Sequence, residues 1–202
     1  EIKTPYTTIY KEKGSKFIAY SHVVYSKNEI KEKIDNLKKK EQKARHFCYA
    51  YILNKDKSIQ IVNDDGEPSS TAGKPILGQI LSKDLTNILI VVVRYFGGVK
   101  LGVSGLIRAY KLAAREVINQ SEIITKSIQV YYQINFKYVE INNVMQIVKK
   151  YNLEIIKSHF KTECRIIFAV SKEHNERVAD IFKKHHILTI NKLENGTIKK
   201  TM

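Results

Sequence analysis

The sequence predicts an α+β protein with two domains, because two of its stretches show different patterns. Residues 87–119 read as a buried strand, a glycine-rich loop and a helix, which fits a mixed sheet covered by helices. Residues 127–193 read as short strands and helices in the order βαββαβ. A break near residues 121–127 separates the two patterns, so we expect domains over residues 1–125 and 126–202.

The strand of the first stretch, residues 87–96, contains an unbroken apolar run rich in β-branched side chains. Such a run predicts a strand that is buried on both faces at the centre of a sheet. The following helix is predicted to begin with Ser104 as its N-cap. Its inward positions at helical spacing are Leu106, Ala109, Tyr110, Ala113 and Val117.

The remaining elements follow from shorter patterns. In the first domain we predict an extended entry segment over residues 1–16, strands at 17–25, 45–54 and 58–62, an amphipathic helix at 27–43 and a short helix after Pro75. In the second domain we predict strands at 127–136, 153–160, 163–170 and 187–193, and helices at 140–151 and 172–186. Their βαββαβ order is the ferredoxin-like arrangement, which by itself says little about function.

The charge of the chain favours anionic partners. The formal net charge is +15, which is typical of proteins that bind RNA, DNA, acidic proteins or membrane surfaces, although a lysine-rich composition gives the same number. No signal peptide and no apolar run long enough to cross a bilayer is present, so no membrane association is expected. With two cysteines, Cys48 and Cys164, we expect a reducing, cytoplasmic setting.

The glycine loop allows two interpretations. A strand, a glycine loop and a helix N-terminus together favour anion binding, and Gly97 and Gly102 have the spacing of a phosphate-binding P-loop. The P-loop lysine is absent, however, since Val103 follows Gly102. The glycines therefore either contact an anion such as an RNA backbone, or only let the strand and helix pack closely. The candidate binding residues are Arg45, Arg94, Gly97, Gly98, Lys100, Gly102 and Arg108.

Aromatic side chains lie beside these basic groups in the sequence. Tyr49, Tyr51, Tyr95, Phe96 and Tyr110 are candidates for stacking on bases, as in proteins that bind single-stranded nucleic acids. The alternative is that they belong to the core.

The polar loop at residues 63–75 holds the candidate enzyme site. Asp64, Asp65 and Glu67 form a tight carboxylate cluster, which fits either a hard-metal or acid–base site or simple turn chemistry. The spacing excludes an EF-hand, and we predict no metal. Thr71 and Lys74 are a candidate nucleophile and activator, although hydroxyl-rich loops are commonly only loops.

His46 and Cys48 are two residues apart on a predicted strand, so they share a face. They fit either a nucleophilic pair or a buried cysteine beside a hydrogen-bonded histidine. A zinc site lacks further ligands, because there is no C-x-x-C pair.

Four motifs, in this order, resemble the YigZ/IMPACT family over the whole chain. They are SKFIAY at 15–20, ARHFCYAYIL at 44–53, DDGEPSSTAGKPILGQIL at 64–81 and RYFGGVKLGVSGLIRAY at 94–110. Ser104 departs from the pattern, since bacterial members usually carry glycine there. The resemblance implies an N-terminal domain similar to the second domain of ribosomal small-subunit protein five, and a C-terminal domain similar to a ferredoxin-like domain of elongation factor G.

Eukaryotic IMPACT members regulate translation by interfering with a kinase that acts on an initiation factor, but we do not carry that mechanism over to this chain. For bacterial members the resemblance implies binding to a nucleic acid or to the ribosome. We therefore expect a cytoplasmic, non-enzymatic protein without a cofactor, which binds RNA, the ribosome or a translation factor. The oligomeric state is left open. The alternative is a hydrolase-type enzyme that acts on a phosphorylated or peptide substrate at the loop from Asp64 to Lys74.

Overall fold

A computed structural model describes residues 1–127, 129–184 and 189–193, and the chain divides into two compact units. The first is Glu1–Thr125 and the second begins at Lys126. Each unit is built on an antiparallel sheet with helices, so the chain is a mixed α+β protein. Residue 128 and residues 185–188 lie outside the described residues. They include parts of the strands predicted at 127–136 and 187–193 and the end of the helix predicted at 172–186.

The first unit contains a five-stranded sheet and three helices. Its elements are β1 (Tyr6–Glu12), β2 (Ser15–Val23), α1 (Lys27–Lys40), β3 (His46–Leu53), β4 (Ile59–Asn63), α2 (Gly73–Ser82), β5 (Ile88–Tyr95) and α3 (Gly102–Gln120). The strand order is β1-β2-β5-β3-β4. The central, buried strand predicted from the apolar run is confirmed as β5, since Ile88 through Val93 are fully buried.

The two faces of this sheet have separate cores. Helices α2 and α3 pack on one face, where the predicted inward residues of α3 lie. Helix α1 packs on the other face. Strand β3 alternates between them: Cys48 and Ala50 point to α2 and α3, whereas Phe47 and Tyr51 point to α1.

In the first unit the prediction missed one strand and misplaced two helix boundaries. The entry segment contains β1, which pairs with β2 from Tyr6 to Glu12; its mixed charge hid a strand that is exposed because it lies at the sheet edge. Helix α3 begins at Gly102, with Leu101 at the N-cap position, so Ser104 lies inside the first turn and caps nothing. Helix α1 ends at Lys40, three residues before the predicted end.

The second unit follows the predicted βαββαβ order of elements. They are β6 (Gln129–Lys137), a 3₁₀ turn (Tyr138–Glu140), α4 (Ile141–Lys150), β7 (Glu154–His159), β8 (Glu163–Ser171), α5 (Asn175–Lys183) and β9 (Thr189–Leu193). The sheet order is β7-β8-β6-β9. Val144, Val148 and Phe182 pack in its core, whereas Met145 is 38% exposed because it flanks the buried stripe of α4.

Candidate functional site

The polar loop between β4 and α2 is folded around the carboxylate of Asp64. Its Oδ1 accepts hydrogen bonds from the backbone N–H of Ala72 and Gly73, at 2.9 and 2.8 Å, and its Oδ2 accepts one from Ser70 at 2.8 Å. Ala72 offers no capping side chain at the start of α2, so Asp64 caps this helix from eight residues upstream. The structure therefore favours turn and capping chemistry for this carboxylate.

The ionised form of Asp64 is stabilised by these donors. Burial acts to raise the pKa of the carboxyl, but the three backbone N–H donors and the charge of Lys74 outweigh it and lower the pKa. Asp64 is therefore a permanent acceptor rather than an acid that holds a proton near neutral pH.

Asp65 ties the same loop to the start of β3. Its Oδ2 accepts a hydrogen bond from the N–H of Phe47 at 2.6 Å, and its carbonyl oxygen lies 2.9 Å from Nδ1 of His46. Asp65 and Gly66 both have positive φ, at 39° and 84°, which gives the chain the sharp turn that these contacts need. His46 is thus bound to backbone.

Glu67 points into the protein, away from both aspartates' contacts. Its Oε1 accepts hydrogen bonds from Nη1 of Arg94 at 2.6 Å and from the hydroxyl of Tyr110 at 2.8 Å. The side chains of Glu67 and Arg94 are only 4% and 8% exposed. The three carboxylates therefore serve three different contacts, and no group of three or more metal-ligating side chains occurs in the part of the chain described.

Arg94 also packs against two aromatic rings. Its guanidinium carbon lies 5.6 Å from the ring centroids of both Phe17 and Phe96, distances at which a cation is attracted to an aromatic face. Its Nε is buried without a hydrogen-bond partner. The prediction that Arg94 contacts phosphate is therefore corrected, because its charge is neutralised inside the protein by Glu67.

Arg94, Glu67, Tyr110 and Cys48 form a buried network of hydrogen bonds, with Cys48 at its end opposite Arg94. The Sγ of Cys48 is 2.9 Å from the carbonyl oxygen of Asp64 and 3.3 Å from the hydroxyl of Tyr110. Burial, more than any neighbour, raises the pKa of the Cys48 thiol. A nucleophile needs the thiolate, so the geometry does not support a nucleophilic pair of Cys48 with His46.

Thr71 and Lys74 do not act on one another. The hydroxyl of Thr71 is buried and donates to the carbonyl oxygen of Pro68 at 2.6 Å, whereas Lys74 is exposed on the first turn of α2. Thr71 closes the loop from within, which is the opposite of the access that a nucleophile requires.

The glycine loop between β5 and α3 combines a close contact with two positive-φ positions. The N–H of Gly97 donates to Oγ of Ser15 at 3.2 Å, and a Cβ at Gly97 would lie 1.9 Å from the carbonyl carbon of Gly14. Gly98 and Gly102 have φ of 88° and 72°, with open space around their Cα atoms. Close packing thus explains Gly97, whereas backbone conformation explains the other two.

The outer side of this loop is both apolar and basic. Phe96, Val99, Val103 and Ile107 are 59%, 52%, 58% and 38% exposed. Lys100 and Arg108 are exposed among them. We call these six residues, on the glycine loop and the first turns of α3, the loop face.

Arg45 belongs to the same end of the sheet. His46 pairs with Arg94 in the register of β3 and β5, so the exposed Arg45 precedes β3 where Phe96 follows β5. The predicted cations thus divide into one buried residue, Arg94, and three exposed ones.

Comparison with known proteins assigns the chain to a family. The family model of the Impact N-terminal domain matches residues 13–118, which is more than half of the chain and includes every member of the buried network. The chain belongs to the IMPACT family.

Individual relatives agree with this assignment. An IMPACT family member of Haemophilus influenzae is 32% identical over 163 residues, which cover 80% of this chain and 79% of that protein. IMPACT family member YigZ of Escherichia coli is 30% identical over 159 residues, 78% of each chain. A solved crystal structure, described as that of an hypothetical protein, has a TM-score of 0.66 at 25% identity and covers 96% of each chain.

The IMPACT motifs gain a physical meaning from this geometry. Segments that are far apart in the sequence supply Cys48, Asp64, Glu67, Arg94 and Tyr110 to one buried network. The sequence did not predict this network, because Asp64, Glu67 and Arg94 were expected to serve a turn, an enzyme site or a phosphate contact rather than the protein interior. One signal was available: a charged residue that directly continues a fully buried central strand needs a buried partner of opposite charge.

Proposed function

We propose that this IMPACT-family protein regulates translation without catalysing a reaction, by binding RNA or the ribosome through the loop face. The observation that supports this proposal most directly is the exposure of Phe96. Its side chain is 59% exposed, on a loop that also contains the exposed cation Lys100. An exposed aromatic ring beside basic groups is the arrangement that binds single-stranded nucleic acid. Membership in a family whose eukaryotic members regulate translation supports the same role, and such partners place the protein in the cytoplasm.

The exposed cations supply the phosphate contacts of this proposal. Lys100, Arg108 and Arg45 are available to solvent, whereas Arg94 lies under Phe96 and supports the ring from behind. Gly98 and Gly102, which have open space around them, give an RNA backbone room to approach the loop.

We also propose the two fold relationships that the resemblance implies. The first unit is similar to the second domain of ribosomal small-subunit protein five. The second unit is ferredoxin-like, which its βαββαβ element order and the sheet order β7-β8-β6-β9 support. Both relationships connect the chain to proteins of the translation apparatus.

A translation factor is the second candidate partner, and a separate observation favours it. Val99, Val103 and Ile107 are exposed apolar side chains on the loop face, and clustered exposed apolar residues mark protein contacts. The hydrolase alternative has weaker support, because Asp64, Glu67 and Thr71 are occupied by structural hydrogen bonds.

Binding of labelled single-stranded RNA and of ribosomes across a salt series tests this proposal. The variant Lys100→Gln/Arg108→Gln is expected to weaken RNA binding and to reduce the slope of log K against log salt by about 1.4, since each lost phosphate contact removes roughly 0.7 on single strands. Phe96→Leu is expected to weaken binding without changing the slope, because stacking releases no counterions.

A matched control removes the same charge further along α3. Lys111→Gln/Arg115→Gln should leave binding unchanged, since both residues are exposed beyond the loop face. If both double variants weakened binding equally, the loop face would be rejected as the binding site, and the binding would be explained by the net charge of the protein alone. Ribosome binding that resists salt but is lost in Val103→Ser/Ile107→Ser would instead indicate an apolar contact of the loop face with protein, as a translation factor would also make.

A further inference from the structure

A groove lies on the face of the first sheet that carries α1. A five-stranded sheet is about 19 Å wide between its edge strands, at roughly 4.8 Å per strand, whereas one helix covers about 10 Å. Helix α1 buries Ile30, Ile34 and Leu37 against the sheet but cannot span its full width. The uncovered strip beside it, over β3 and the end of β4, forms a groove of about 290 Å³.

One wall of the groove is cationic. Lys27, Lys31 and Lys38 line it from α1, and all three are exposed. They are four and seven residues apart, so they form a stripe along one side of the helix. The stripe gives this wall three positive charges that can contact the phosphates of a bound strand.

The floor of the groove is aromatic. Phe47, Tyr49 and Tyr51 line it from β3, and the rings of the two tyrosines are nearly parallel, with an interplanar angle of 12° and centroids 6.3 Å apart. Tyr51 is buried and fixed, whereas Tyr49 is half-buried and borders the open space. Burial raises the pKa of Tyr51, so its phenol stays a neutral hydrogen-bonding group.

The groove also contains groups that can recognise the edge of a base. Asp35, Asn63 and Asp65 line it. Asp65 already accepts a hydrogen bond from the N–H of Phe47, which leaves Asp35 as the carboxylate at the helix wall. A carboxylate accepts hydrogen bonds from the amino groups of bases, whereas a purely cationic groove would only select for charge.

We propose that this groove binds a segment of single-stranded RNA, with a base against Tyr49 and the flanking phosphates on Lys27 and Lys31. Lysines on one wall and aromatic rings on the floor together form the combination that binds single-stranded nucleic acid. This site is separate from the loop face, and it neither requires nor replaces the binding proposed there.

Fluorescence anisotropy of labelled decacytidylate, whose bases carry an amino group, with the full chain tests the groove. Tyr49→Leu is expected to weaken binding about tenfold with an unchanged salt slope, because stacking on one aromatic ring is lost. Tyr49→Phe retains the ring and should bind like the native chain, which separates stacking from loss of fold. Lys27→Gln/Lys31→Gln should weaken binding and reduce the salt slope by about 1.4.

The control pair Lys11→Gln/Lys39→Gln removes two exposed lysines that do not line the groove, and it should bind normally. Native affinity in Tyr49→Leu, equal losses in Tyr49→Leu and Tyr49→Phe, or equal losses in the two lysine pairs would overturn the inference. If only Lys100→Gln/Arg108→Gln weakened RNA binding, the loop face would be supported and the groove rejected. If only the groove variants weakened RNA binding, the groove would be supported and the loop face rejected.

Discussion

Arg94 and Glu67 are charged residues that belong to the interior of the first unit. Their ion pair joins the end of β5 to the polar loop and, through Tyr110, to α3. Removing both charges from water is costly, so such a pair contributes to stability only when each partner is present and hydrogen-bonded. The pair therefore fixes the position of the loop relative to the helix at the base of the loop face.

Removal of one charge from this pair is expected to destabilise the protein strongly. Glu67→Gln keeps an oxygen acceptor for Tyr110 but leaves the guanidinium of Arg94 buried without a counterion. The free energy of unfolding should fall by about 3–5 kcal/mol, measured by urea denaturation at neutral pH.

The double variant Glu67→Leu/Arg94→Met provides the control, because it removes both charges and keeps apolar volume. It should lose less stability than Glu67→Gln. A Glu67→Gln protein within about 0.5 kcal/mol of the native one would show that the pair is unimportant.

His22 predicts a dependence of stability on pH. Burial, with smaller effects of Lys33 and Lys40, lowers the pKa of this histidine to about 4, and its Nε2 is buried with no hydrogen-bond partner in the structure. In the unfolded chain the pKa is about 6.5. Between these values the unfolded state binds a proton and the folded state does not, so stability is lost as pH falls from about 6.5 to 4.

The variant His22→Gln isolates this contribution. As the pH is lowered from about 6.5 to 4, the unfolding free energy of the native protein should fall more than that of the variant. Parallel stability curves of the two proteins from pH 7 to pH 4 would show that His22 does not titrate in this way.

At the scale of elements, local patterns predicted most of the first sheet. The apolar run of β5 predicted its central position, and the helical spacing of α3 predicted its inward residues. The same approach missed β1, because an edge strand pairs on one side only and its exposed residues show no buried stripe. It also misplaced the start of α3, where Gly102 takes a positive φ instead of a side-chain cap.

The glycines provide a graded test of how the loop is built. Gly97→Ala should destabilise the protein most, by more than about 2 kcal/mol, since its Cβ would overlap the backbone of Gly14. Gly98→Ala has open space and should cost only about 1–2 kcal/mol for its positive φ.

Gly78 serves as the matched control for these alanine substitutions. It lies in α2 with nothing within 4 Å of an added Cβ, so Gly78→Ala should raise stability by up to about 1 kcal/mol. Thermal denaturation of the three variants measures the order. A Gly97→Ala protein as stable as Gly98→Ala would contradict the close contact with Gly14.

At the scale of the whole molecule, the first unit is closed by its own ends. The N–H of Lys3 donates to the carbonyl oxygen of Glu122 at 2.7 Å, and Ile124 donates to Glu1 at 2.8 Å. Ile2 is fully buried in the same core as α3. Residues 1–12 and 119–125 therefore complete the unit on either side of the segment that matches the family model.

A fragment of residues 1–125 is accordingly expected to fold alone and to unfold in one cooperative transition, since it retains its own core and its closing contacts. A fragment of residues 1–119 loses the partners of Lys3 and Glu1 and should be less stable. Urea denaturation followed by circular dichroism compares the two. Equal urea midpoints would show that the contacts of residues 1–3 with residues 122–124 do not stabilise the unit.

Local sequence patterns were enough to predict the buried central strand, the inward stripe of α3 and the βαββαβ order of the second unit, and the motifs were enough to indicate the family. The roles of the polar motif residues became visible only in the folded protein. Asp64 caps α2, Glu67 neutralises Arg94, and Cys48 is a buried thiol. Burial periodicity is local and can be read along a chain, whereas the partner of a charged group depends on which distant segments packing brings together.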